Sequence, residues 1–292
     1  MSDAQFAEWM SRMVALGSQA RSIEIANLPA HEAEVLGHAL WDIGRERAWV
    51  SPALADCTAR LAAADYADPE RRSVLRAAAG VPDDYTTWHR VAGLYWLTRI
   101  PFASGVRRWQ AEVRESFVQP LSVMPVSGEL KTYVPPPGRL SAAETGALLG
   151  RTSVNALGIP DPRGADLDAL FRTYAPAFVV DTAGDADLPG ELGWREDAMP
   201  HLVSQLPVVY RRVSHARYQG QTLLQLNYWL WFPERPKGAG WDILGGHLDG
   251  VLWRVTLAPD GSPWVYDSIH PCGCYHLFFP TARAVPKAQP DT

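Results

Sequence analysis

Lysine is scarce in this chain. Its 292 residues hold only Lys131, Lys237 and Lys287, so nearly all the positive charge is arginine. The formal net charge is -5, and the arginines are scattered rather than gathered in a stripe. A surface that tracks phosphates needs such a stripe, so no nucleic-acid partner is expected. Arginine spread among many alanines reads instead as a genomic composition bias. Cysteine is also scarce. Three copies, an odd number, exclude a disulfide scaffold. No apolar run approaches the roughly 20 residues of a membrane span. The stretch 91–97 is bounded by Arg90 and Arg99, with Pro101 just beyond. The first residues carry neither a basic n-region nor an apolar h-region, so no signal peptide and a cytoplasmic location are expected. P-loop, dinucleotide fingerprint, G-x-S-x-G and H-E-x-x-H are all missing, so no familiar motif names a reaction.

What is present is an ordinary globular composition, 47% hydrophobic and 20% charged, at a length that suits one large domain or two smaller ones. Residues 1–157 read as a helical region. Ser51-Pro52 and Asp68-Pro69 each pair an N-cap residue with proline at the first helical position. Ser141 with Glu144 forms a capping box. Val106, Trp109, Val113 and Phe117 recur at helical spacing and predict a buried stripe. Leu54, Cys57 and Leu61 do the same and predict a core position for Cys57. Residues 158–200 are rich in proline, glycine and aspartate and read as connecting loops, apart from a short helix over 166–174 capped by Asp166.

From residue 201 the apolar period changes to two, and an antiparallel β region is predicted over 201–282, followed by a disordered tail over 283–292. Residues 208–215 and 222–232 flank Tyr218-Gln-Gly-Gln221, which suggests a hairpin. In the second of these strands Gln225, Asn227, Trp229 and Trp231 share a face. Amides mixed with indoles suit a lined cavity, so these four are the candidate substrate-binding residues for a small molecule. A second hairpin joins 251–257 to 264–269 through Pro259-Asp260-Gly261, a turn in which proline presets φ and glycine accepts positive φ. The expected fold class is α+β, a helical N-terminal half packed on a C-terminal antiparallel sheet. Oligomeric state is not legible.

The densest chemistry follows that second hairpin, in His270-Pro271-Cys272-Gly273-Cys274-Tyr275-His276. Residues six apart in a straight strand lie about 20 Å apart, so four such side chains cannot reach one ion. Pro271 and Gly273 favour a turn that lets Cys272 and Cys274 converge. Upstream, His247 and Asp249 open the first strand of the hairpin, and antiparallel pairing returns the end of the second strand beside them. The topology therefore brings His247 and Asp249 near His270 and Cys272.

Three readings follow. The favoured one is a metal-dependent enzyme, a hydrolase or oxidoreductase of bacterial cytosolic type. Its transition-metal cofactor (zinc, iron or copper) is held by His270, Cys272, Cys274, His276 and His247, with Asp249 or Asp267 as base or orienting group. The second is a cysteine-nucleophile hydrolase or dithiol oxidoreductase without metal, with His247 or His270 as base and Asp249 or Asp267 orienting it. The third is non-catalytic, with a structural zinc staple or simply packed side chains.

Overall fold

A computed structural model describes residues 1–41, 47–80, 87–136, 138–195, 199–203, 206–238 and 245–285. The chain is α+β, with its long helices in the N-terminal half and a five-stranded antiparallel sheet near the C-terminus. It divides into two compact units, residues 55–126 and residues 1–54 with 127–292. No helix among the described residues is long and apolar enough to cross a membrane. Of the expected tail, 286–292 lie outside the described residues.

The larger unit opens with α1 (Asp3–Asn27) and α2 (Ala30–Trp41). Ser2 and Gln5 cap α1 reciprocally: the Gln5 amide N–H donates to Ser2 Oγ at 3.2 Å, and the Ser2 N–H to Gln5 Oε1 at 2.8 Å. Helix α3 (Arg47–Ala67) follows, and the unit boundary falls within it. The sequence places a helix start at Ser51-Pro52, but Pro52 lies inside α3. Pro52 is the sixth residue of the helix, past the first four N–H groups that lack an intrahelical acceptor, so it gives up the hydrogen bond to the Ala48 carbonyl that another residue would make there.

The smaller unit holds the rest of α3, α4 (Pro69–Ala78), α5 (Thr87–Ala92) and α6 (Tyr95–Val118). Asp68 caps α4 as expected, accepting from the Glu70 N–H at 2.9 Å. The predicted stripes are less covered than their spacing implies. Cys57 is exposed, and Phe117 on α6 is 59% exposed. Periodicity marks a face as apolar but not what covers it.

In the larger unit β1 (Glu129–Tyr133) precedes α7 (Ala142–Arg151) and α8 (Gly164–Tyr174). β2 (Phe178–Thr182) pairs with β1, and β3 (Glu191–Trp194) pairs with β4 (Pro200–Val203). The stretch that reads as connecting loops therefore contributes strands to two small ladders. The capping box on α7 forms, with the Glu144 N–H on Ser141 Oγ at 3.2 Å. Asp166 is not the cap of α8. It lies in the first turn, where its carboxylate suits the helix dipole and binds Arg151 at 2.8 Å.

The main sheet runs in simple order, β5 (Tyr210–Tyr218), β6 (Gln221–Arg235), β7 (Gly246–Leu257), β8 (Pro263–Ile269) and β9 (Leu277–Pro280). Gln219 and Gly220 make the β5–β6 turn with φ of 48° and 80°, the paired positive values that match strand twist in a two-residue hairpin. One sheet face carries Leu224, Leu226, Tyr228, Val255 and Leu257, packed on Leu148 of α7 and on Leu170 and Phe171 of α8. Each buried leucine of this kind stabilises by roughly 1.5–3 kcal/mol. α7 and α8 also grip the β7–β8 turn. Tyr174 donates its hydroxyl to the Gly261 carbonyl, and a Cβ on Gly261 would lie 2.7 Å from Thr145 Cγ2. This fixes one end of the β7–β8 hairpin and leaves the other to carry the cysteine cluster.

Candidate functional site

The cluster occupies the β8–β9 connection, and its local shape follows from Pro271 and Gly273. The Gly273 N–H donates to the His270 carbonyl at 2.8 Å, and the His270 N–H donates to the Cys274 carbonyl at 3.1 Å. Proline supplies φ near -65° for the second turn position, and Gly273 takes φ of +82°, the left-handed value that closes the bulge. The β7–β8 turn, Ala258-Pro-Asp-Gly-Ser262, is built in the same way. Gly261 N–H donates to Ala258 O at 2.9 Å, Ala258 N–H to Ser262 O at 2.8 Å, and Gly261 also has φ of +82°.

The shared turn gives Cys272 the position held by Asp260. Asp260 Oδ1 accepts from the Ser262 N–H at 3.0 Å and the Ser262 hydroxyl at 2.6 Å, and Arg283 binds the same carboxylate at 2.8 Å. Cys272 Sγ correspondingly accepts from the Cys274 N–H at 3.4 Å. The imidazole of His270 contacts the same sulfur, with Nδ1 2.8 Å from Cys272 Sγ. Such a position favours a negative charge. The Cys274 thiol, its N–H and His270 together lower the Cys272 pKa to about 7. Cys274, next to that sulfur, is raised.

The chain of contacts continues to Asp249. His270 Nε2 lies 2.6 Å from Asp249 Oδ1. A carboxylate can only accept, so Nε2 carries the proton and Nδ1 presents its lone pair to Cys272. The Cys272 N–H also points at Nδ1, at 3.3 Å. Burial lowers the His270 pKa, but Cys272 and Asp249 outweigh it and the net shift is upward. The ring of Tyr275 stands edge-on to His270, with centroids 6.2 Å apart. Both cysteines are exposed, whereas Asp249 and His270 are partly covered.

The other expected site residues lie elsewhere. The His247 ring donates to the Pro200 carbonyl rather than joining Asp249. His276 binds Asp267 at 3.1 Å. Asp267 is 2% exposed and held by Arg254 through two contacts, 3.0 Å from Nε and 2.8 Å from Nη2. Its oxygens are thus committed to an ion pair in the sheet. Arg254 escaped the sequence reading, since a single charge inside an apolar strand gave no sign of its partner. Gln225 and Asn227 are buried, with amides tied to Thr256, Ser214 and the Arg212 carbonyl, so they cross-link strands. Trp229 and Trp231 stack on each other at 5.8 Å. All four alternate onto the face opposite Leu224, Leu226 and Tyr228, whereas the β7–β8 register puts His270 on the core side.

Among the described residues no group of three or more His, Cys, Asp or Glu is arranged to hold a metal ion. A cavity of about 570 Å³ on the core side, lined by Tyr133, Phe171, Phe178, Arg211, Tyr228 and Leu230 among others, does not include Cys272, His270 or Asp249. The two cysteines are instead exposed at a hairpin end. Comparison with known proteins returns no matching family model, no matching curated protein and no matching solved structure.

Proposed function

We propose that this protein is a thiol enzyme in which Cys272 attacks as a thiolate, His270 takes its proton at Nδ1, and Asp249 is the positioning residue that holds the imidazole. The observation that carries this is the unbroken chain Asp249–His270–Cys272, with contacts of 2.6 and 2.8 Å. Nucleophile, base and orienting group each sit within hydrogen-bond reach of the next, the arrangement that activates a weak nucleophile. The Asp260-like turn position adds the Cys274 N–H as a donor to the sulfur, so the thiolate does not depend on the imidazole alone.

A metal-dependent reaction would draw on the same residues. The thiol reading is preferred because both nitrogens of His270 are engaged, one by Cys272 and one by Asp249, while His276 and His247 are turned to Asp267 and Pro200. The exposed sulfur suits a small electrophile or an accessible group on a larger molecule. Free thiols persist in a reducing compartment, which agrees with a cytoplasmic setting.

The test is iodoacetamide labelling of the full chain at neutral pH, read peptide by peptide. Cys272 should label well ahead of the exposed Cys57, and His270→Ala should shrink that lead. Equal labelling of the two cysteines contradicts the reading.

A further inference from the structure

Resting on Cys272 as the nucleophile, we infer that Cys274 is a resolving thiol, and that the site performs thiol–disulfide exchange on an accessible disulfide. The backbone around the sulfur decides between this and acyl transfer. Acyl transfer develops negative charge on a substrate oxygen and needs donors aimed at a point beside the nucleophile. Here the nearby N–H groups are directed into the turn. Those of His270 and Gly273 go to the Cys274 and His270 carbonyls, that of Cys272 to His270 Nδ1, and that of Cys274 to Cys272 Sγ. Pro271 has none. Exchange develops its charge on sulfur and asks for no oxyanion site.

Cys274 supplies the second requirement. The turn folds it back on Cys272, whose Sγ accepts from the Cys274 backbone N–H at 3.4 Å, so the two thiols stand two residues apart on one tight bend. Both thiols are exposed at the hairpin end, where an accessible disulfide can reach them. In the first step Cys272 Sγ bonds to one sulfur of the substrate disulfide, whose S–S bond breaks and whose other sulfur leaves as a thiolate. In the second, Cys274 Sγ gives up its proton and bonds to Cys272 Sγ, releasing the remaining substrate half as a second thiolate. The protein ends as the Cys272–Cys274 disulfide, and the substrate ends as two thiols. The small ring so formed is easily reopened by an external thiol.

The experiment uses full-length, reduced protein carrying Cys57→Ser, with glutathione disulfide as the probe and intact mass as the readout. The parent should end with Cys272 joined to Cys274, carry no glutathione, and release twice as much glutathione as a Cys274→Ser variant. That variant should hold a stable mixed disulfide on Cys272. A parent that accumulates the mixed disulfide as persistently as the variant overturns the role of Cys274. Iodoacetamide labelling of the same parent separates the two levels. Rapid labelling of Cys272 alongside a persistent mixed disulfide leaves the nucleophile standing and removes the exchange cycle; slow labelling removes both.

Discussion

His270 Nε2 meets Asp249 Oδ1 at 2.6 Å across 21 positions of sequence. The pair exists because β7 and β8 are antiparallel, with Leu252 opposite Ile269, so the start of one strand returns beside the end of the other. The carboxylate fixes which imidazole nitrogen carries the proton. Asp249→Ala should therefore slow iodoacetamide labelling of Cys272 at pH 7 by roughly fivefold, the loss of thiolate that a rise of about one pKa unit from about 7 produces. The partly exposed pair adds little to stability, so the thermal midpoint should hardly move.

Asp267→Ala should behave in the opposite way. It strips a buried carboxylate from Arg254, whose side chain is only 20% exposed. Leaving such a charge uncompensated costs about 3–5 kcal/mol. Urea unfolding should report a loss of that order, while labelling of Cys272 in the folded protein keeps its rate. His276, which binds the same carboxylate, is expected to matter for stability in the same sense.

The two matching turns make a further contrast. Gly261 and Gly273 share φ of +82°, yet a Cβ on Gly273 meets nothing within 4 Å, whereas on Gly261 it meets Thr145 at 2.7 Å. Gly273→Ala should cost about 1 kcal/mol from backbone strain alone. Gly261→Ala adds overpacking against α7, for a total of about 2–4 kcal/mol. Equal losses in denaturant titrations would mean that the β7–β8 turn does not dock on α7.

Metal addition gives a separate check. A closed site would need His270 to release Asp249 or Cys272, so zinc at a small excess over protein should leave both the thermal midpoint and Cys272 labelling unchanged. A zinc-bound folded state would instead raise the midpoint by mass action.

Much of this arrangement was legible in the sequence. Pro259-Asp260-Gly261 marks the hairpin that brings Asp249 to His270, and Ser141 with Glu144 marks the start of α7. What escaped has physical reasons. His247 and Asp249 alternate, which implies a common direction, but Leu248 between them takes φ of +60° and breaks regular strand geometry. Gln225 and Asn227 have the composition of a lined face, and only their partners reveal that the amides are spent between strands. The short ladders β1–β2 and β3–β4 lack sustained alternation, and their pairing is fixed by contacts distant in sequence. The repeated x-Pro-x-Gly-x pattern, with Asp260 in one copy and Cys272 in the other, is visible in the sequence. Its meaning emerges once both copies adopt the same turn.

The most direct test of the account is the pH dependence of Cys272 labelling in the wild type and in His270→Ala. The thiolate fraction rises with pH, so the wild-type rate should climb through a midpoint at about 7 and level off above it. In His270→Ala the imidazole contribution is gone, and the midpoint should move up toward the range of about 8.5 for a free thiol. Midpoints that coincide in the two proteins, or a wild-type midpoint already near that of a free thiol, would contradict the claim that Asp249 and His270 activate Cys272.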